Sequence, residues 1–391
     1  MKTIQFRDFI ILQRGFDLPK HIRDEGEYPV IAATGIHGSH SEFKVNPPGV
    51  VTGRSGSLGE VVFVERPYWP LNTTLWVKDF KENQPRYVYY FLKTLDLKRF
   101  NSGAGVPTLN RNHLDTLVVK IHDRQNQQKI AAILSVYDDL IGNNLRRIKI
   151  LEEMAQTFYR EWFVKFRFPG HQKVKMMDSP LGKIPEGWEV KLLKEICESI
   201  NYGYTASARQ EAVGPRFLRI TDIVPYLIDW YSVPYCEISE KELPKYLLKE
   251  GDIVIARTGA TTGYAKQINK MHPESVFASY LVRIRIKSCY GRLHIGLLVE
   301  SDEYKRFIKT NLGGAAQPQA NAQVLTSFPL VIPAQNLLNS FESFLRNVFD
   351  QRDILHHKNM NLRQTRDLLL PKLISGELDV SELDIRQAPP P

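Results

Sequence analysis

The feature that most constrains the fold of this 391-residue chain is an internal duplication. The stretches "GVVTGRSGSLGEVVFVE" at 49–65 and "GDIVIARTGATTGYAKQ" at 251–267 share an apolar run, an arginine, a hydroxyl residue and a turn between two glycines. Three further pairs of blocks match in the same order: 13–16 with 201–204, 29–36 with 215–223, and 105–121 with 316–332. Such ordered self-similarity predicts two copies of one structural unit.

The first part of each copy has the composition of a β-rich domain. Short runs rich in Val, Ile, Thr and aromatic residues, such as "YPVIAAT", "EVVFVE" and "SYLVRIRI", are separated by Gly, Pro and Asn, a pattern typical of strands joined by turns. A helix is expected within each copy, at "RYVYYFLKTL" (86–95) and at "GLLVESDEYKRFIKT" (296–310). The predicted fold class is α+β, with two pseudo-symmetric mixed α/β domains.

The second part of each copy changes to a helical period, with apolar residues in steps of three and four. This is the heptad pattern of a coiled coil. Helices of about 40 residues would be about 60 Å long and would need partners of equal length, so the domains are expected to be separated by a long antiparallel two-helix coiled coil. Its predicted seam consists of Ile130, Leu134, Tyr137, Ile141, Asn144, Ile148 and Leu151 in the first helix and Phe341, Leu345, Val348, Leu355, Leu362 and Leu369 in the second.

Polar residues interrupt this seam. Asn144 is the kind of residue that fixes the register of a coiled coil, although it could equally face a partner. Arg352 and Arg366 also occupy heptad positions and indicate that solvent or another protein meets that side of the second helix. For either stripe taken alone, an ordinary core helix is the alternative interpretation.

Composition favours an anionic partner and a reducing compartment. Lys and Arg total 52 against 43 Asp and Glu, for a formal net charge of +9, which favours nucleic acid or a membrane surface, though weakly by itself. The three cysteines have no CxxC spacing, which argues against a zinc site or a disulfide framework. No apolar run resembles a signal peptide or a membrane span. We expect a soluble cytoplasmic protein with no membrane partner.

Motifs that would indicate an enzyme are incomplete. "NPPG" at 46–49 resembles the base-gripping loop of adenine-N6 methyltransferases, but Gly49 replaces the aromatic residue that stacks on the base, so we interpret it as a turn before a strand. The glycine blocks lack the Gly-Lys-Ser/Thr of a phosphate loop and open no evident helix. His37 and His40 have HxxH spacing without nearby carboxylates or cysteines and are interpreted as surface histidines. We expect no metal site and no catalytic residues.

Essentially the whole chain resembles the specificity subunit of type I DNA restriction-modification systems. The resemblance rests on two variable domains that are each followed by a long helix, and on three blocks: "GDIVIARTG" at 251–259, Pro185-Glu-Gly-Trp188, and "LLLPKLISGE" at 368–377. The family's usual Pro-Pro-Leu-x-x-Gln entry to each helix is only partly matched, by "HDRQNQQ" at 122–128 and "PAQNLLN" at 333–339.

This resemblance implies a non-catalytic subunit that reads a split, asymmetric sequence in double-stranded DNA. It implies docking of two modification (methyltransferase) subunits and of restriction (translocase/endonuclease) subunits. S-adenosylmethionine and ATP would belong to those partners, so no cofactor is expected on this chain. The implied segments are a first target recognition domain (1–122), a first spacer helix (123–168), a linker (169–184), a second target recognition domain (185–333), a second spacer helix (334–376) and a C-terminal tail (377–391).

The candidate DNA-contacting residues are of two kinds. The recurrent arginine loops supply Arg54, Ser55, Ser57, Arg257, Thr258 and Thr261, whose shared occurrence is explained equally well by contacts to the DNA backbone or by a role in folding. Base choice is expected where the copies differ. Those candidates are Arg14, Lys20, His21, Arg23, His37, His40, Asn110 and Arg111 in the first copy and Tyr202, Tyr204, Ser207, Arg209, Arg219, Gln317, Gln319 and Asn321 in the second.

Two other functions stay open at this point. The chain could be a coiled-coil scaffold for protein partners without DNA specificity. It could also be an autonomous DNA-modifying enzyme, although the incomplete motifs argue against that.

Overall fold

The computed structural model describes residues 1–103, 105–225, 227–312 and 319–385. The chain forms two compact units: unit 1 comprises Met1–Asn143 and Asn361–Pro391, and unit 2 comprises Asn144–Met360. Both boundaries between the units fall within long helices.

Unit 1 contains three groups of paired strands. A four-stranded sheet has the order β2-β8-β5-β6, β1 pairs with β9, and a three-stranded sheet has the order β4-β3-β7. The strands are β1 (Lys2–Gln5), β2 (Ile11–Arg14), β3 (Tyr28–Ala32), β4 (Gly35–His40), β5 (Gly49–Gly53), β6 (Val61–Val64), β7 (Trp69–Pro70), β8 (Thr74–Asp79) and β9 (Val118–Ile121). The helices are α1 (Phe6–Phe9), α2 (Pro85–Thr94), α3 (Arg111–Asp115) and the long α4 (Arg124–Tyr159), which continues into unit 2.

Unit 2 contains the order β13-β18-β15-β16 in a four-stranded sheet, and the pairs β12-β19, β14-β17 and β10-β11. The strands are β10 (Met176–Ser179), β11 (Gly182–Pro185), β12 (Glu189–Leu192), β13 (Cys197–Tyr202), β14 (Arg216–Leu218), β15 (Ile253–Ala256), β16 (Ala265–Gln267), β17 (Ser275–Phe277), β18 (Leu281–Ile286) and β19 (Pro329–Ile332). The helices are α5 (Leu193–Ile196), α6 (Ile220–Ile223), α7 (Leu243–Tyr246), α8 (Arg292–Glu300), α9 (Asp302–Asn311), α10 (Ala322–Thr326) and the long α11 (Gln335–Ser375), which ends in unit 1.

The two units repeat one strand topology. The four-stranded sheets correspond strand for strand, the antiparallel pair β1-β9 corresponds to β12-β19, and the parallel pair β3-β7 corresponds to β14-β17. A register shift recurs at the start of the equivalent strands β2 and β13. The predicted duplication and the α+β fold class are confirmed.

Burial explains why the apolar runs recur in both copies. β5 lies between β8 and β6, and β15 lies between β18 and β16. Every residue of β5 and of β15 is buried, so both strands carry a continuous apolar run instead of an alternating one. "NPPG" leads directly into β5, as a turn before a strand should, and the glycine blocks that follow β5 and β15 lead into strands and not into helices.

The long helices pack along each other in both units. In the core of unit 1, Ile130 and Leu134 of α4 lie with Leu370 and Leu373 of α11. In unit 2, α4 and α11 contribute Ala155 and Phe341 to one core, and the rings of Phe158 and Phe344 are 4.5 Å apart. The pairing is antiparallel, because the start of α4 meets the end of α11. Of the predicted seam residues, Tyr137, Asn144, Leu151, Leu362 and Leu369 are partly buried and the others are fully buried.

Asn144 forms a hydrogen bond across this helix pair. Its side-chain amide donates to the side-chain oxygen of Asn359 at 2.8 Å, within unit 2. A polar pair of this kind is satisfied in one register and left unsatisfied in a shifted one, so it favours the observed alignment.

The expectation that Arg352 and Arg366 face solvent or another protein is wrong. In unit 1, Arg366 Nη1 lies 2.5 Å from Asp138 Oδ1. In unit 2, Arg352 Nη1 lies 3.6 Å from Glu152 Oε1. The two guanidinium groups are only 14% and 17% exposed, because each is paired with an acidic residue on the facing helix.

Two segments predicted to lie outside the domains have structure of their own. The interval 169–184, interpreted as a linker, contains the hairpin of β10 and most of β11. The C-terminal segment packs on unit 1 through the buried side chain of Val380. The ammonium group of Lys129 also donates to the carbonyl oxygen of Ser381 at 2.6 Å.

Glu152 is a buried carboxylate whose burial is only partly offset by a neighbouring positive charge. It is 7% exposed, and its Oε2 has no hydrogen-bond partner among the described residues. Burial raises the pKa of this carboxyl from 4.5 to about 8, although the Arg352 guanidinium opposes that rise. The folded state therefore favours the protonated form, and it loses stability as pH rises from about 4.5 through about 8.

We predict that Glu152→Gln increases the free energy of unfolding at pH 8.5 by roughly 1–3 kcal/mol and changes it little at pH 5, because only the ionised carboxylate is disfavoured by burial. Urea unfolding of both proteins at the two pH values measures this. The exposed neighbour Glu153 provides the control, since Glu153→Gln should have a small effect at either pH. An equal effect of Glu152→Gln at both pH values would contradict the prediction.

Candidate nucleic-acid interface

In unit 1 the recurrent arginine loop is fastened to two other segments by its backbone. The Arg54 N–H donates to the carbonyl oxygen of Thr73 at 2.8 Å, and the Arg54 carbonyl accepts the N–H of Leu109 at 2.8 Å. Ser55 forms a backbone bridge with Thr108. We call this meeting point junction 1; it consists of residues 14–16, 54–55, 72–73 and 108–111.

Unit 2 repeats these three backbone interactions. The Arg257 N–H donates to the carbonyl oxygen of Tyr280 at 3.0 Å, and the Arg257 carbonyl accepts the N–H of Ala320 at 2.8 Å. Thr258 forms a backbone bridge with Gln319. This is junction 2; it consists of residues 202–204, 257–258, 279–280 and 319–322.

A glycine brings the first segment of each junction close to its neighbours. A Cβ atom on Gly15 would overlap the carbonyl oxygens of Pro70 and Leu71, and one on Gly203 would overlap those of Phe277 and Ala278. Only glycine leaves room for this approach of two backbones. The matching tetrapeptides "QRGF" and "NYGY" are therefore explained by packing.

The last segment of each junction starts a short helix with an asparagine cap. The Asn110 side chain accepts the N–H of Asn112 at 3.0 Å, and the Asn321 side chain accepts the N–H of Val324 at 2.9 Å. A side-chain oxygen at this position satisfies a backbone donor of the first helical turn. Asn110 and Asn321, which are both predicted DNA contacts, thus also stabilise the local backbone.

Junction 1 borders a groove that is basic. Arg14, Arg54 and Arg111 line it together with Thr108, and Asp17 is the one acidic residue among its described lining residues. Arg54 Nη1 makes a long hydrogen bond of 3.4 Å to the carbonyl oxygen of Asn72. Several guanidinium groups around one concave surface form a site for phosphate or for a base edge rich in acceptors.

Junction 2 holds its arginine by an aromatic ring. The Arg257 guanidinium lies 4.8 Å from the ring centre of Tyr202, and the Tyr202 hydroxyl accepts the N–H of Ala322 at 3.0 Å. Arg257 Nε has no hydrogen-bond partner within the described part of the chain. Tyr280, whose backbone carbonyl accepts the Arg257 N–H, is 61% exposed. The Tyr202 ring therefore supports the guanidinium, whose Nε is buried and unpaired among the described residues.

Several predicted contact residues of unit 1 lie away from junction 1. Lys20 and His21 are exposed on a turn, and His37 is exposed on β4. Arg23 donates to the carbonyl oxygens of Leu18 and His37, so its side chain ties two loops together. His40 was expected at the surface, but it is 5% exposed because its ring packs edge-on against Trp69.

In unit 2 the predicted arginines outside junction 2 have acidic partners. Arg219 forms two hydrogen bonds with the carboxylate of Asp222, and Arg209 lies 3.3 Å from Glu237. The other predicted residues outside the junctions are Ser57, Ser207 and Thr261, which lie in loops, and Gln317, which lies outside the described residues.

Sequence reasoning missed the third segment of both junctions, which contains Asn72 and Thr73 in unit 1 and Ser279 and Tyr280 in unit 2. A weak signal existed: "PLNTTLWV" at 70–77 and "FASYLVRI" at 277–284 hold the same place in the two copies. The segments share almost no residue types, and their correspondence becomes clear from backbone pairing alone.

Neither a metal site nor a membrane span is found in the described residues. Across 1–103, 105–225, 227–312 and 319–385, no group of three or more His, Cys, Asp or Glu side chains could hold a metal ion. Over the same ranges, no helix combines the length and apolar character needed to cross a bilayer.

The duplicated α+β unit, with one loop junction per copy and long helices that pair in both units, defines a tandem-repeat protein. The chain belongs to the type I restriction-modification specificity family, since residues 1–153 and 185–362 match the type I restriction modification DNA specificity domain. Specificity subunits are the non-catalytic components of these systems, so the family agrees with the expectation that this chain is not an enzyme.

Individual relatives support the same assignment. The type I restriction enzyme MjaIX specificity subunit of Methanocaldococcus jannaschii is 28% identical over 304 residues, which cover 76% of this chain and 70% of that protein. The putative MjaX specificity subunit of the same organism is 39% identical over 318 residues, covering 76% and 69%. The fold also matches the crystal structure of a type I restriction-modification S subunit from M. genitalium, with a TM-score of 0.61 at 15% identity over 97% of this chain and 96% of that one.

We predict that Gly15→Ala and Gly203→Ala each lower the free energy of unfolding by roughly 1–3 kcal/mol, because the added methyl group displaces a neighbouring backbone. Gly142 offers a matched control: it lies within α4 and has open space around it. Gly142→Ala should raise stability by about 0.5–1 kcal/mol, as expected for a helix interior. Denaturant titration of the three variants checks the opposite signs, and a neutral Gly15→Ala would contradict the close approach.

Proposed function

We propose that this chain is the DNA-reading subunit of a type I restriction-modification enzyme and recognises a bipartite, asymmetric target through its two units. The observation that carries the proposal is the pair of equivalent junctions, since two half-sites on a duplex require two readers. Duplication within one chain supplies the two readers that other DNA-binding proteins obtain by dimerisation.

The charges of the junctions support DNA as the ligand. Arg14, Arg54 and Arg111 surround one groove in unit 1, and Arg257 is held by a tyrosine ring in unit 2. Arginines that converge on an open surface neutralise phosphates and reach base edges. DNA lies in the cytoplasm of a prokaryotic cell, and we place the action of the chain there.

We further propose that the long helices dock two modification subunits, to which restriction subunits are added. α4 carries a series of exposed apolar side chains, which is the property expected of a protein-binding surface. These residues are Val136, Leu140, Leu145, Ile150, Met154 and Phe158. S-adenosylmethionine and ATP belong to those partners in this proposal, and the chain itself supplies recognition and positioning.

The scaffold alternative predicts partner binding without DNA specificity, and the enzyme alternative predicts S-adenosylmethionine binding by the isolated chain. The complex of this chain with modification subunits should bind one split sequence, with an affinity that falls steeply with salt, because each phosphate contact contributes about −0.9 to the slope of log K against log salt. Fluorescence anisotropy with the target and with a scrambled duplex measures both properties. If the affinity depended on neither sequence nor salt, the proposal would be wrong and the scaffold alternative would be supported.

The helices are expected to set the separation of the two half-sites. Facing pairs such as Asp138 with Arg366 and Glu152 with Arg352 allow one heptad to be removed from each helix in register, at 139–145 and 358–364. The deletion shortens each helix by about 10.5 Å and should reduce the preferred gap by roughly three base pairs.

Selection from duplexes with randomised gap lengths measures that change. Deletion from one helix alone serves as the control, because it breaks the facing pairs and should impair binding at every gap length. An unchanged preferred gap after the matched deletion would contradict a spacer role for the helices.

A further inference from the structure

The two junctions share a backbone frame and differ in side chains. We propose that base choice in each half-site is made at the positions where the frames carry different residues, and that Tyr280 is the principal base-reading residue of unit 2. This inference rests on the proposed function, because it assigns residues to the reading of DNA.

The shared frame allows a residue-by-residue comparison. Arg54 and Arg257 donate their N–H groups to the third segment and accept an N–H from the fourth. Phe16 and Tyr204 occupy equivalent places, since each carbonyl accepts an N–H from the third segment, from Asn72 and from Ser279, at 2.9 Å and 2.8 Å. Two surfaces built on one frame present equivalent positions to a bound duplex in the same way.

The residues common to both junctions cannot distinguish two different half-sites. Arg54 and Arg257 are identical in type and in backbone bonding, so we assign their guanidinium groups to phosphates, which carry no sequence information. This assignment accounts for the recurrence of the arginine without giving it a role in base choice.

Among the equivalent positions that differ, three carry an arginine or an exposed aromatic ring in one of the junctions. Arg14 corresponds to Tyr202, Thr73 corresponds to Tyr280, and Arg111 corresponds to Ala322, as the backbone bonds and the order of the segments show. Junction 1 therefore carries three arginines, whereas junction 2 carries one arginine and three tyrosines, Tyr202, Tyr204 and Tyr280. Junction 2 thus lacks two of the donors suited to guanine, at Tyr202 and Ala322, and carries at Tyr280 a ring that can contact a thymine methyl group.

Two exposed tyrosines of junction 2 differ in their contacts. Tyr202, which is 44% exposed, is tied to the protein, because its hydroxyl accepts the N–H of Ala322 and its ring contacts the Arg257 guanidinium. Tyr280 is held through its backbone carbonyl at 3.0 Å from the Arg257 nitrogen, while its side chain is 61% exposed. An exposed ring on a fixed backbone can contact a base at a small entropic cost.

The residues of the two junctions therefore predict part of each half-site. The half-site read by unit 1 contains a guanine contacted by Arg14 or Arg111, and the half-site read by unit 2 contains an A·T pair contacted by the Tyr280 ring. Thr73, the equivalent of Tyr280, is too short to reach as far from the same backbone position.

The test uses the full complex of this chain with modification subunits and determines the bound sequences by selection from a random library. Tyr280→Thr installs the residue that unit 1 has at the equivalent position. We expect preference at one A·T pair of the second half-site to fall about tenfold, as for the loss of one base-pair contact, with the first half-site unchanged.

Two controls separate base reading from folding and from affinity. Tyr231 is 66% exposed in unit 2 and lies outside junction 2, so Tyr231→Thr should leave the selected sequence and the affinity unchanged. Arg257→Ala should weaken binding to all sequences alike and reduce the salt slope by about one, as for a lost phosphate contact.

The inference would be overturned if Tyr280→Thr left the sequence preference unchanged. If Arg257→Ala changed the preference while Tyr280→Thr did not, base choice would instead belong to the shared arginine. Both results leave the proposed function intact as long as the parent complex selects a split sequence. A parent complex that selects no sequence would instead refute the proposed function itself.

Discussion

The structure depends on a backbone constraint that occurs once in each unit. The arginine of the glycine loop gives its N–H to one neighbouring segment and its carbonyl to another, so three loops that are far apart in sequence are fixed at one place. Because these bonds involve backbone atoms alone, side chains at the same place can vary without loss of the frame. The proposed function, in which the two units read different DNA sequences with one fold, requires that the residues that support the frame differ from those that contact the bases.

The alignment of the helix pair, in contrast, is set by side chains. Its apolar residues provide most of the packing, and its polar layers, Asn144 with Asn359, Asp138 with Arg366 and Glu152 with Arg352, set the alignment. Buried pairs of this kind add little net stability, since desolvation offsets much of the attraction. They penalise a shifted alignment, because a shift leaves a charge or an amide without its partner.

Much of this architecture could be predicted from the sequence. The duplication, the α+β class and the antiparallel helix pair follow from repeated blocks and from heptad spacing, and the structure confirms them. The candidate interface was harder to predict, because its third segment shares a backbone path but hardly any residue types between the copies. Tyr280 was missed for this reason. His40 was expected at the surface because a polar loop of the sequence gives no sign of a tryptophan packed against it, and the facing acidic partners of Arg352 and Arg366 lie more than 190 residues away along the chain.

The composition of unit 1 has a consequence for synthesis on the ribosome. Its core contains Phe6 and Phe9 near the start of the chain together with Leu370, Leu373, Ile374 and Val380 near the end, whereas unit 2 is one continuous stretch. Unit 1, whose first residues are synthesised before those of unit 2, therefore completes its core after unit 2 has been synthesised. Until the segment that contains Leu370 and Val380 has been synthesised, unit 1 exposes apolar surface that its completed core buries.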